Sequence, residues 1–369
     1  MKMIRFYLKN ILRTLKRYDT KTTLSKSFGR LSSICRRYML NKKEGLEKWI
    51  TLKNKFDGKR VFLVGNGPSL NKTPLYLLKN EYTMCFNRFY IISERINWQP
   101  YFYMTTDNVV LSDIIEEVEK FIPNTNYSFL PDIHFRGDNF YAKIEHFENL
   151  FWLQQLHREG FSKELPRIIP GNTVIYEGLQ VLNYLGFKDI YLVGVDLDYQ
   201  VHKTVKYLKS KGLDIESQKD DDPNHFDPRY FGKNRKYHQP EDYVIQNIFK
   251  KLEYVSGLMP ELNINIINAG YDSKLDYFPR EDFQKVINLS DKTIETLFFE
   301  CLSKNSKYES ILKFESENVE INSIDNFQPA NENDFYMSLE NALRIMNKAV
   351  FTHIPVGPYN NKYYFTKRQ

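Results

Sequence analysis

From Lys59 onward, short apolar runs alternate with longer stretches in which apolar residues recur every three or four positions. The runs RVFLVG (60–65), YTMCFN (82–87), YFYMTTD (101–107), NYSFLPD (126–132), DIYLVGVDL (189–197) and INIINAG (264–270) read as strands. The stretches 70–79, SDIIEEVEKFI (112–122), GNTVIYEGLQVLNYLGF (171–187) and PEDYVIQNIFKKLEYVSG (240–257) read as helices. Strands separated by helices predict an α/β class, a Rossmann-like and mostly parallel sheet, here one domain over residues 59–285. Residues 201–238 break the pattern with KDDDPNHFDPRYFGKNRKYH, a long polar loop of the kind that is functional or disordered. Beyond 286, helix-like stretches flank the polar SENVEINSIDNFQPANEND and form a C-terminal extension to which no chemistry is assigned.

The first 58 residues differ in texture. Ile4, Tyr7, Leu8, Ile11, Leu12 and Leu15 recur at helical spacing among Lys and Arg, which predicts a basic amphipathic helix. Residues 1–43 carry thirteen Lys and Arg against the single acid Asp19, so the net charge of +6 for all 369 residues leaves the remainder acidic. Two readings stand side by side: a helix seeking an anionic membrane surface, and a helix packed on the domain with a solvated basic face. Nucleic acid is not expected as a partner, because no recognisable binding motif accompanies the charge.

A hydrophobic content of 42 % permits a sizeable core, and no apolar run approaches the length of a membrane-spanning helix or of a signal peptide. A cytoplasmic protein, peripheral on the inner face of the membrane if the basic helix binds there, is expected. Cys35, Cys85 and Cys301 lie far apart without CxxC spacing, so neither a disulfide framework nor a zinc site is expected.

Candidate chemistry begins at VFLVGNGPSLN. A strand ending in Gly65, followed by Asn66, Gly67, Pro68 and Ser69, is expected to expose backbone N–H groups to an anion at a helix start. It lacks the Lys-Ser/Thr of a P-loop and the third glycine of the dinucleotide pattern. Ligands of an open parallel sheet collect at the carboxyl ends of its strands, where Asn87, Asp107, Asp196, Asp198 and Tyr199 fall. Gly171, Asn172 and Thr173 lead into a helix, with Asn172 or Thr173 as its cap and a second anion or a sugar at its free N–H groups; Arg167 offers a nearby cation. In the polar loop His225 and His238 lie close to Tyr230, Tyr237 and Arg235, and a histidine is the natural general base near neutral pH. His134, His146, His157, His202 and His353 are read as structural. No metal is expected, since no His-x-x-x-His or Glu-x-x-His pair occurs.

The series GNGPSL, CFNRFY, RIIPGNTV, GFKDIYLVGVDLDY and KYHQPEDY resembles the bacterial sialyltransferases of glycosyltransferase family 42. NHFDPRYFGKNRKYHQP and NAGYDSKLDYFPREDF resemble their relatives, the 6-hydroxymethylpterin diphosphokinase MptE-like domains of polysaccharide clusters and flagellin-modifying glycosyltransferases. The resemblance covers residues 59–285. It implies a GT-A-variant, sialyltransferase-like fold and a metal-independent, inverting transfer from a CMP-activated nonulosonic acid to a glycan or glycolipid hydroxyl in surface-glycan assembly. By position it implies that Asn66, Gly67 and Ser69 form the nucleotide-phosphate turn and that Asn87 and Asp107 contact the nucleotide. It further implies that Arg167 lies near the acceptor, that Tyr199 supports the departing phosphate and that His238 is the base. The family's second tyrosine has no assigned match beyond Tyr230 or Tyr237, and Ile169-Pro170 replace its Thr-Ser pair, which leaves the donor sugar open. Two alternatives remain: a pterin diphosphokinase, which needs ATP with magnesium held by Asp107, Asp196 and Asp198, and a non-catalytic nucleotide-sugar-binding protein. A homo-oligomer is compatible with all three readings.

Overall fold

The computed structural model describes residues 20–40 and 44–290 except 95, 97, 135, 157, 209–213 and 239–240, then 292–294, 296–297 and 300, and the segments 349–353 and 364–367. The apolar stripe between Ile4 and Leu15 and most of the C-terminal extension lie outside these residues.

Eight parallel strands form the central sheet: β1 (Arg60–Val64), β2 (Thr83–Phe86), β3 (Phe102–Met104), β4 (Tyr127–Pro131), β5 (Leu150–Gln155), β6 (Arg167–Ile168), β7 (Asp189–Val193) and β11 (Asn265–Asn268). Their spatial order is β11-β7-β1-β2-β3-β4-β5-β6. The chain therefore winds outward from β1 to β6 and returns to the other side of β1 with β7, which opens a crevice at the carboxyl ends of β1 and β7. Burial alternates with strand period: Val61 and Leu63 enter one core, Phe62 and Val64 the other, and all four are fully buried. Such double-sided burial belongs to a sheet covered on both faces, and it explains why β1 and β7 read as nearly continuous apolar runs.

Helices α1 (Thr20–Leu40) and α2 (Glu44–Ile50) both precede the sheet in sequence, and α3 (Asn108–Asp113) and α4 (Ile115–Phe121) cover the face of Phe62. On the opposite face lies α5 (Val174–Leu185), which is buried almost all round because the sheet and α6 (Asp242–Leu262) enclose it. Thr173 caps α5 by accepting from the Ile175 N–H, and Gly186 ends it at φ 94°.

Several expectations change. Residues 70–79 form two short 3-10 turns, Pro68–Lys72 and Leu75–Leu78, because Pro74 interrupts the helical run. Strands β5 and β6 had no counterpart in the sequence reading. The polar region 201–238 contains an antiparallel sheet of β8 (Val205–Tyr207), β9 (Asp214–Ser217) and β10 (Lys236–His238) rather than only loop. Trp49, Leu52 and Phe56 are buried in the main core, so the α/β unit begins before Lys59. In the extension, β12 (Ala349–His353) pairs antiparallel with β13 (Tyr364–Lys367).

Helix α1 answers in part how the basic segment sits. Lys26 is buried and pairs with Asp138 at 2.8 Å, while Gly29 and Gly137 meet so closely that a Cβ on Gly29 would stand 1.9 Å from the Gly137 carbonyl oxygen. Its other side shows Leu24, Phe28 and Leu31 at 60, 75 and 58 % exposure. No described helix is long and apolar enough to cross a membrane.

Candidate functional site

A cavity of about 430 Å³ opens at the carboxyl ends of the strands. It is lined by Gly65, Asn66 and Gly67 after β1, Asn87 after β2, Asp107 after β3, and Asp196 and Tyr199 after β7. Asn172 and Thr173 reach it from the start of α5, and His225, Tyr237 and His238 from the 201–238 segment. Residues distant in sequence thus converge as the parallel topology requires.

The Gly-Asn-Gly-Pro-Ser turn is built differently from the expected anion cradle. The Asp196 carboxylate occupies the start of the 3-10 turn: its Oδ2 accepts from the Ser69 N–H at 2.8 Å and its Oδ1 from the Ser69 hydroxyl. Gly67 donates its N–H to the Gly194 carbonyl at 2.8 Å, and Gly65 donates to Val193. These backbone donors are therefore committed within the protein, and Ser69 is buried beneath the turn rather than lining the cavity. Gly67 is required by proximity, since a Cβ there would meet Asp196 Oδ2 at 2.4 Å. Burial raises the Asp196 carboxyl, and the two Ser69 hydrogen bonds oppose that rise.

What the turn does present is carboxamide. Asn66 donates its Nδ2 to the Phe86 carbonyl at 3.2 Å, and its Oδ1 has no hydrogen-bond partner; the Oδ1 of Asn87 is likewise unmatched. Asn87 adopts φ 49° and Asn172 φ 60°, left-handed conformations that asparagine tolerates better than most residues. Asp107 lines the cavity and also caps α3, its Oδ1 accepting from Val109 and Val110 at 2.8 and 2.9 Å.

Two histidines face the cavity in different settings. His225 Nδ1 lies 2.8 Å from Asp222 Oδ2, and its ring stacks on Tyr230 with centroids 3.9 Å apart. Burial alone would raise Asp222, but the adjoining His225 and the N–H groups of Asn224 and Phe231 outweigh it and hold the carboxyl low. His238, at the end of β10, has its Nε2 2.9 Å from Arg136 Nη1. A guanidinium only donates, so this nitrogen is the acceptor and the ring proton sits on Nδ1.

The tyrosines separate clearly. Tyr199 stands at the rim with 37 % exposure. Tyr230 is fully buried behind His225 with its hydroxyl accepting from the Arg88 N–H, and Tyr237 bonds the Nδ1 of buried His202, so both phenols turn to protein partners. Burial raises both. Tyr243, exposed on α6 and lining the cavity, was not singled out by the sequence.

Arg167 lies away from the cavity, exposed on edge strand β6, and Gly171 packs against Tyr176 next to it. Among the described residues, the cation that does line the cavity is Arg136, on the turn after β4, beside His134 and Asn108. Its backbone N–H donates to His134 Nδ1 at 3.1 Å. Glu177 in the first turn of α5 is a second group that the sequence did not reveal: it lines the cavity, accepts from Gln155 Nε2 at 3.2 Å, and burial pushes its carboxyl up to about 8. Both sit inside segments whose local pattern, a turn and an apolar helix, carries no signal of a cleft.

For the acidic set Asp107, Asp196 and Asp198, the structure finds other employment: Asp107 caps α3, Asp196 holds Ser69, and Asp198 pairs with Lys274 at 2.5 Å. Among the described residues no group of three His, Cys, Asp or Glu side chains is arranged to hold a metal ion.

Comparison with known proteins returns no match among curated proteins. Among solved structures, the MAf glycosyltransferase of Magnetospirillum magneticum AMB-1 is similar at 18 % identity and a TM-score of 0.38, over 71 % of this chain and 41 % of that one. This chain thus spans less than half the length of that protein. The sialyltransferase CstII of Campylobacter jejuni, solved with the substrate analogue CMP-3FNeuAc, is similar at 16 % identity and a TM-score of 0.34, over 60 % of this chain and 85 % of that one. Its complex with cytidine-5'-monophosphate matches at 16 % identity and a TM-score of 0.32, over 60 % and 84 %. Residues 36–202, from the end of α1 through β7 to Tyr199 but short of His225 and His238, match the family described as 6-hydroxymethylpterin diphosphokinase MptE-like, within the superfamily that the sequence motifs resemble.

Proposed function

We propose that the chain is a glycosyltransferase that moves a nonulosonic, sialic-acid-like sugar from a CMP donor to a hydroxyl of a glycan or glycolipid, without a metal, in surface-glycan assembly. The observation that carries this reading is the convergence of Asn66, Asn87, Tyr199 and His238 on one cleft at the switch point of the sheet. The unmatched carboxamide oxygens of Asn66 and Asn87 suit the amino or hydroxyl donors of a nucleoside. Tyr199 and the start of α5 face the departing phosphate, where hydroxyl and N–H donors stabilise the charge that develops. His238 takes the proton of the acceptor hydroxyl; that oxygen bonds the anomeric carbon as the bond from this carbon to the phosphate oxygen breaks, and CMP leaves with the electron pair.

Thermal-shift measurements with CMP, CDP, UDP and ATP, each with and without magnesium, test the donor class. Stabilisation by CMP without metal is expected, and stabilisation by ATP with magnesium alone would overturn the reading. His238→Ala is expected to lower turnover by about two to four orders of magnitude while CMP still stabilises the protein. A second assignment of the base is favoured by the Asp222–His225 pair, whose carboxylate fixes the imidazole as a base requires. Full activity in His238→Ala with loss in His225→Ala would transfer the role.

The family match also names a pterin diphosphokinase, and the same ATP-magnesium arm tests that alternative. The non-catalytic alternative predicts CMP binding with no turnover of any CMP-sugar. For localisation, the reading places the enzyme in the cytoplasm and against the membrane through residues 1–43, whose charge complements anionic lipid and whose helix α1 leaves Leu24, Phe28 and Leu31 uncovered.

A further inference from the structure

The bond between Arg136 and His238 conflicts with a base that is ready to work. A general base needs a free lone pair within reach of the acceptor hydroxyl, and a neutral imidazole has one. In this cleft that lone pair, on Nε2, accepts from Arg136 Nη1 at 2.9 Å. Among the described residues that line the cavity Arg136 is the only Lys or Arg, so a substrate anion entering the cleft meets a permanent positive charge there, and it is the group that holds the imidazole.

The backbone around Arg136 is firmly held while its side chain is long. Its N–H is tied to His134 Nδ1, the neighbouring Asp138 is paired with Lys26 of α1 and accepts from Asn108 Nδ2 at 3.1 Å, and Gly137 is pressed against the α1 backbone. The contact from Arg136 Nη1 to Asn108 Oδ1 is a long one at 3.4 Å. A pinned turn carrying a multi-rotamer guanidinium can exchange one acceptor for another without moving the fold. An anionic oxygen accepts from a guanidinium more strongly than a neutral ring nitrogen does, because the hydrogen bond is charge-assisted and can be bidentate.

We propose that Arg136 is the receptor for an anionic group of the substrate, phosphate or carboxylate, and that in the empty cleft it is parked on His238 Nε2, so that anion binding frees this imidazole. The base is thereby withheld until the anion is in place. The proposal rests on the cleft being a substrate site, but it can be tested without turnover.

Calorimetric titration of the full chain with inorganic pyrophosphate and, separately, with N-acetylneuraminate supplies phosphate and carboxylate probes. Arg136→Gln is expected to weaken binding of the recognised probe about 10- to 100-fold, the worth of a charge-assisted contact. His238→Ala is expected to tighten it about three- to tenfold, because the guanidinium no longer gives up a hydrogen bond to reach the anion. Opposite signs at two touching residues are not produced by a loss of packing. Response to one probe alone identifies which anion is recognised. Equal affinity in all variants, weakening in His238→Ala, or no binding of either probe by the unmodified protein would overturn the proposal. If Arg136→Gln does not fold, Arg136→Lys, which keeps the charge and loses the fork, should weaken binding severalfold, and the sign in His238→Ala still decides. A protein that ignores CMP in the thermal-shift experiment yet shows the opposite shifts with pyrophosphate would lose the glycosyltransferase reading and keep this one.

Discussion

Glu177 makes stability depend on pH in a way that can be worked out in advance. Its carboxyl is 4 % exposed in the first turn of α5, and burial pushes it from 4.5 to about 8 against the pull of hydrogen bonds from Gln155, Thr106 and the Gly171 backbone. The folded state therefore holds a proton that the unfolded chain releases at lower pH. Stability is full below the unfolded value and declines as pH rises from about 4.5 to about 8, then levels off once both states are ionised. At about 1.4 kcal/mol per pH unit the decline reaches roughly 5 kcal/mol as an upper bound. The positive end of α5 favours the carboxylate by about 0.3–1 kcal/mol, which lowers the expected loss to roughly 4 kcal/mol. Glu177→Gln keeps the shape and an oxygen for Gln155 but cannot ionise, so its stability should lack this component. Urea unfolding of both proteins at about pH 5, 7 and 9, followed by circular dichroism, gives the difference directly, and ionisations common to both cancel. A difference that stays constant to within about 0.5 kcal/mol across that range would refute the buried, proton-bearing carboxyl.

Two further outcomes follow from particular contacts. Gly67→Ala drives a Cβ into the Asp196 carboxylate and breaks its bonds to Ser69, so urea unfolding should show a loss of about 2–4 kcal/mol; a loss below about 0.5 kcal/mol would mean that the turn does not depend on that carboxylate. Phe28→Glu with Leu31→Glu should lower sedimentation with anionic vesicles at least about tenfold, since each exposed side chain carries about 1.5–3 kcal/mol of transferable apolar surface; unchanged binding would leave α1 as a packing element alone.

How much of this was legible from the chain differs by level. Strands β1, β2, β3, β4, β7 and β11 could be read because burial on both faces demands apolar runs, and α5 because its cap and its apolar content announce it. Asn66, Asn87, Tyr199 and His238 could be nominated because a parallel sheet sends its strand ends to one edge, a consequence of topology alone. The N–H groups of the Gly-Asn-Gly-Pro-Ser turn could not be assigned in the same way: whether they face a ligand or the protein depends on Asp196, 127 residues away, which only folding brings beneath Ser69. Arg136 and Glu177 were invisible for a related reason. A charged residue in a turn and a carboxylate in a helix have ordinary local roles, and the cleft that gives them another is made by segments that meet only in three dimensions. The sequence by itself therefore determined the layers of the fold and the edge at which chemistry gathers, because periodicity and strand order act locally. Tertiary structure decided which cation, which carboxylate and which imidazole nitrogen face one another there, because hydrogen-bond partners and desolvation are set by neighbours remote along the chain.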